Sequence, residues 1–123
     1  MRKQYCFRQS ERGLLAWDVD RLCELSQHLP RKSVPLNDIR ELDESCGDEG
    51  ANLTWRQIVE HVRLINEADL SYPIILSASG DVMDGRHRIA KAAVIGCDVI
   101  DVVQFDVDPP PDYVGRGPDE LPY

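Results

Sequence analysis

The sequence predicts an α+β fold, and three observations carry that expectation. Three stretches have helical periodicity with recognisable ends, at 16–29, 54–65 and 86–95. Short β-branched runs lie between and after them, chiefly at 74–77, 82–84 and 99–105. The length, 123 residues, is that of one domain able to hold a core without staples.

The elements follow in chain order. Tyr5-Cys6-Phe7 reads as a short strand, punctuated by Gly13. Leu22, Leu25 and Leu29 fall at i, i+3 and i+7 of a helix from Ala16 that Pro30 stops, and Asp18 and Asp20 suit its positive end. Ser33 to Arg40 reads as an extended stretch whose Pro35 belongs at a sheet edge, because proline has no N–H to give a central ladder. From Glu41 to Asn52 the chain is acidic and glycine-containing, the pattern of a loop. Thr54-Trp55-Arg56-Gln57 has the form of a capping box and opens a second helix carrying Ile58, Val62 and Ile65. Trp17 and Trp55, each at a helix start, are expected to pack rather than to stack on a ligand.

Ile74-Ile75-Leu76-Ser77 and Val82-Met83-Asp84 flank the turn residues Ala78-Ser79-Gly80-Asp81 and predict a hairpin. Gly85 allows a sharp turn into a helix from Arg86 to Ile95, ended by Gly96. Val99 to Phe105 is the last strand expected. Asp108-Pro109-Pro110-Pro111-Asp112 then breaks the pattern, and the tail to Tyr123 is expected to be poorly ordered or laid on the surface.

Charge and composition bound the function. The formal net charge of −8 argues against a protein that coats duplex DNA or a polybasic membrane binder. No apolar run approaches the roughly 18 residues of a membrane span, and no apolar segment follows Met1-Arg2-Lys3, so a cytoplasmic protein is expected. Cys6, Cys23, Cys46 and Cys97 are widely scattered with no C-x-x-C pair, which predicts reduced thiols and no zinc site.

The stretch that carries chemistry is Gly80 to Ala92. After Asp84 and Gly85, the first turn of a helix holds Arg86, His87 and Arg88. The leading N–H groups of a helix lack internal partners and carry partial positive charge, so anions bind there. Arginine adds planar donors matched to phosphate oxygens. From Asp84 to Lys91 the local charge is +2 with His87 neutral, so an acidic chain gathers cations where the helix dipole opposes them. His87, Arg88 and Lys91 share one arc of this helix; Ile89, Ala90, Ala92, Ala93 and Val94 take most of the rest. His28, near the end of the first helix, and His61, beside Glu60 in the second, read as surface or half-buried groups.

Asp84-Gly85-Arg86-His87-Arg88, preceded by Tyr72-Pro73-Ile74-Ile75-Leu76 and Val82-Met83, resembles the D-G-x-H-R box of the ParB/sulfiredoxin superfamily. The resemblance spans Val34 to Phe105 and implies a small α+β domain with a mixed sheet packed by helices. On that reading 1–33 is an N-terminal helical extension, 34–106 the domain and 107–123 a proline-rich acidic tail. It further implies a phosphate site at Asp84, Gly85, Arg86, His87 and Arg88, with Arg40 contributing from the first strand. The implied ligands are a nucleotide (ATP, ADP or CTP) with Mg²⁺, or a phosphorylated small molecule. In kinase relatives a carboxylate activates the acceptor hydroxyl, and Glu41, Asp43, Glu44 and Glu60 are the candidates here. Arg86 stands where sulfiredoxin has its cysteine, so sulfinic-acid reduction is not expected. Nucleotide or phosphate binding, with phosphotransfer or hydrolysis as an open extension, is therefore the function expected. The alternative is a non-enzymatic module that docks a protein partner or a second copy of itself; nucleic-acid binding ranks below both.

Overall fold

Local rules place most elements of the computed structural model, which describes residues 3–44 and 53–123. Of the acidic stretch expected as a loop, the part from 45 to 52, including Cys46, Asp48 and Glu49, lies outside the described residues. The architecture is α+β, with three helices and two sheets among the described residues, and none of those helices is long and apolar enough to cross a membrane. The chain divides into two compact units, Met1–Pro30 with Ile75–Asp84 and Gln104–Tyr123, and Arg31–Ile74 with Gly85–Val103.

In the first unit β1 (Tyr5–Ser10) pairs antiparallel with β2 (Gly13–Asp18), and Ser10 opposite Gly13 closes the turn. The second edge of β2 pairs with β7 (Tyr113–Val114), giving the order β1-β2-β7. Leu15, Ala16 and Trp17 form an uninterrupted buried run, as a central strand requires. This corrects the expected helix from Ala16. Residues 13–18 are spent on the sheet, and α1 covers only Val19–Leu25, started by the Asp18 carboxylate accepting from the Asp20 N–H.

Of the two expectations for the tail, poorly ordered or laid on the surface, the structure shows a tail held by hydrogen bonds. Asp112 accepts from the Asp18 N–H at 2.8 Å and from Arg21 Nη1 at 3.0 Å. Asp108 accepts from the Ala78 N–H at 2.8 Å and from Arg8 Nη1 at 3.0 Å, while Trp17 Nε1 donates to the Pro109 carbonyl. A proline run has carbonyls but no N–H groups, so it serves this unit as a row of acceptors. Beyond β7 a 3-10 turn (Pro118–Glu120) leads to Leu121, which is buried. β4 (Ile74–Leu76), whose Ile75 and Leu76 belong to this unit, and β5 (Val82–Asp84) form the expected antiparallel hairpin, its turn held by Ser77 Oγ accepting from the Asp81 N–H.

In the second unit β3 (Lys32–Pro35) pairs antiparallel with β6 (Val99–Gln104), from Lys32 opposite Val102 to Pro35 opposite Val99. Among the strands of this unit β3 pairs with β6 alone, which puts Pro35 on an edge strand as expected. The extended stretch stops at Pro35; 3-10 turns follow at Leu36–Asp38 and Arg40–Asp43, and Leu36 and Ile39 enter the core. α2 (Trp55–Glu67) begins with the Thr54 capping box, both of its bonds made. α3 (Arg86–Val94) ends before Gly96, whose φ is +82°. Ile89 and Ala92 of α3 are buried with Ile74, Ile100 and Val102.

Trp55 does not pack: it is 82% exposed, whereas Trp17 is 1% exposed. The inward side of α2 runs through Ile58, His61 and Ile65, all half-buried, and leaves Trp55, Val59 and Val62 on the outside. Val62 thus departs from the stripe it was expected to share with Ile58 and Ile65.

Candidate functional site

The start of α3 is set by one glycine. Gly85 is the helix N-cap at φ +113°, ψ 20°, a left-handed conformation that side chains disfavour. Space imposes the same choice. A Cβ here would sit 2.6 Å from Ile74 Cδ1, and 3.1 and 3.3 Å from Arg88 Nη2 and Nε. The Arg88 guanidinium therefore lies against the Gly85 backbone, at the end of the helix whose amides point outward. Gly85 has no side chain to cap them, and its carbonyl takes the Ile89 N–H at 3.0 Å, the first bond of the helix. The amides of Arg86, His87 and Arg88 have no carbonyl within the helix to bond.

The charged arc expected on α3 is divided between different tasks. Arg86 is exposed. Lys91 turns toward the end of α2, where Nζ donates to the carbonyls of Asn66 at 3.0 Å and Ala68 at 2.7 Å. A cation at a helix C-terminus satisfies orphan carbonyls and the dipole together. His87 is half-buried against α2, with its Nε2 3.0 Å from His61 Nδ1 and the ring centres 5.3 Å apart. Burial, and then the neighbouring charge of His61, hold its proton affinity below the ordinary histidine range.

The other expected residues separate. Arg40 is exposed and donates through Nε to Glu44 at 3.1 Å, on the 3-10 turn that packs against α3. Glu60 lies on the outer side of α2 and accepts from Arg63 Nε at 3.1 Å; that hydrogen bond holds its carboxyl below the usual range. Asp43 is exposed, and Glu41 is half-buried on the turn facing α3. Asp84 is the last residue of β5, one before the cap, so the N-cap is Gly85 and not Asp84. Cys6 is buried, Cys97 half-buried and Cys23 exposed. Among the described residues no group of three or more His, Cys, Asp or Glu side chains is placed to hold a metal.

Sequence reasoning missed the meeting of His61 with His87. Only half of it had a signal: His61 shares the helical phase of Ile58 and Ile65 on α2, while nothing along the chain named its partner on α3. Compared with known proteins, the chain matches no protein-family model, no curated protein and no solved structure significantly.

Proposed function

We propose that this protein binds the phosphate of a nucleotide, or of a phosphorylated small molecule, at the start of α3, in the manner of the ParB/sulfiredoxin superfamily that its D-G-x-H-R box resembles. The observation that carries the reading is the Gly85 turn. A positive-φ glycine without a capping side chain is followed at once by Arg86, His87 and Arg88, and the Arg88 guanidinium folds back over it. Backbone N–H donors and a planar cation then converge on one place, the chemistry that holds phosphate oxygens. Arg86 adds a second, exposed guanidinium. Phosphoryl transfer also needs a base and commonly Mg²⁺; Glu41, half-buried on the turn that packs on α3, is the carboxylate we take as the candidate.

Binding to the native state raises its stability by about 2.7 kcal/mol at a hundredfold excess over Kd. We expect ATP, ADP or CTP with Mg²⁺ to raise the melting temperature by roughly 10 °C under those conditions. Arg86→Ala combined with Arg88→Ala abolishes the shift; an unchanged shift in that double variant refutes the site.

A second reading has one observation in its favour. Trp55, Val59 and Val62 make an exposed apolar stripe along α2, which suits a module that docks another protein or a second copy. Concentration-dependent sedimentation that Trp55→Ser abolishes, together with no nucleotide shift, would favour it.

A further inference from the structure

The His61–His87 contact has a geometry that restricts its chemistry. The 5.3 Å between ring centres is little more than the 3.0 Å N···N distance plus one ring radius at each end. The two nitrogens therefore face each other along a nearly straight line. A metal on that line needs about 2.0–2.1 Å to each nitrogen, so about 4 Å in total, and does not fit. What fits is a hydrogen bond: one nitrogen carries a proton and the other accepts it. The contact accommodates one added proton on the pair, shared as a charge-assisted bond, once the ring nitrogens turned away are counted. Two added protons bring two cations together in a half-buried place.

The surrounding charges are cations at the helix start, the Asp69 carboxylate within electrostatic reach of Arg88 and Lys91, and groups engaged elsewhere. On α3 itself Arg86 and Arg88 flank His87, and Lys91 is held by the end of α2. On α2, Glu60 and Glu67 are both bonded by Arg63. The turns packed on α3 carry Asp38, Arg40, Glu41 and Asp43, of which Arg40 is bonded to Glu44. His87 itself is half-buried against α2, and that burial, then the neighbouring His61, disfavour a charge on its ring.

We propose that the His61–His87 pair couples anion binding at the start of α3 to uptake of one proton from solvent, which enters on a ring nitrogen turned away from the contact and whose charge the two rings share through the hydrogen bond between them. The inference rests on the proposed phosphate site and adds its regulation: affinity for a dianionic oxyanion strengthens as pH falls toward mildly acidic values. His61 is a positioning residue here, because it acts through His87.

Inorganic sulfate is the probe, since it is dianionic and does not itself titrate near neutrality. Its Kd is measured by NMR chemical shifts between about pH 8 and pH 5.5 at constant ionic strength. The expected result is a Kd that falls by up to about tenfold per pH unit, the limit for one linked proton. His61→Phe, which keeps a packed ring but removes the nitrogen that bonds His87, flattens that dependence, and His87→Gln does the same. Sulfate binding that is independent of pH in the parent, or an undiminished slope in His61→Phe, overturns the coupling and leaves the anion site standing. A slope steeper than one proton overturns the shared-proton pair. Absence of sulfate binding, or binding unaltered by Arg86→Ala with Arg88→Ala, overturns the anion site and the coupling with it.

Discussion

Replacing Gly85 with alanine separates backbone strain from crowding, because Gly96 supplies a matched control. Both glycines have positive φ, +113° and +82°, but a Cβ at Gly96 meets nothing within 4 Å. At Gly96 the cost is left-handed strain, roughly 1–2 kcal/mol, offset by about 0.4–1 kcal/mol from the stiffer unfolded chain. The net is a loss of about 0–1.5 kcal/mol. Gly85→Ala carries the same balance and adds the 2.6 Å contact with Ile74 Cδ1. Ile74 is fully buried, so its methyl cannot swing away freely. Such overpacking costs about 1–3 kcal/mol, which brings the expected loss to roughly 1–4.5 kcal/mol. That is a large share of the 5–15 kcal/mol that holds a typical domain together. Urea unfolding of the two variants and the parent, followed by far-UV circular dichroism, measures both losses. Equal losses for Gly85→Ala and Gly96→Ala would refute the argument that the start of α3 is sterically fitted to glycine.

Two further outcomes are expected of the same structure. His87 is held below its ordinary value of 6.5, first by burial and then by His61, so folding disfavours its protonated form; stability is full above about pH 6.5 and falls as pH drops below it. Glu60, held down by its bond from Arg63, and Asp69, held down by Ser71, begin to lose their contributions only around their ordinary 4.5 and 3.8 and below. Melting temperatures between about pH 7 and pH 5 therefore decline less in His87→Gln than in the parent; equal declines refute the assignment. Asp112→Ala, which frees the Asp18 N–H and the Arg21 guanidinium, costs about 1–3 kcal/mol. Asp119→Ala at an exposed turn stays within about 0.5 kcal/mol, and equal urea midpoints for the two would show that the tail contributes nothing.

What the sequence determined by itself is what depends on a few neighbouring residues. The Thr54–Gln57 capping box, the hairpin around Gly80, the glycine turn at Gly85, the edge position of Pro35 and the stop at Gly96 all appear where local rules put them. Each is decided by backbone conformation or a hydrogen bond spanning at most about four residues. The site's glycine and its three following side chains were legible for the same reason. The tertiary structure decided what depends on distant partners. Gly13–Asp18 is a strand because β7, about a hundred residues later, supplies its second ladder; a short apolar run alone does not choose between strand and helix. The proline-rich tail is ordered because Arg8, Trp17, Asp18 and Arg21 need the acceptors it carries. Which side of α2 turns inward, and so whether Trp55 or His61 is covered, follows from its packing on α3. That same packing brings two histidines 26 positions apart into one hydrogen bond, an arrangement that no pattern along the chain encodes, because it depends on distance across two helices.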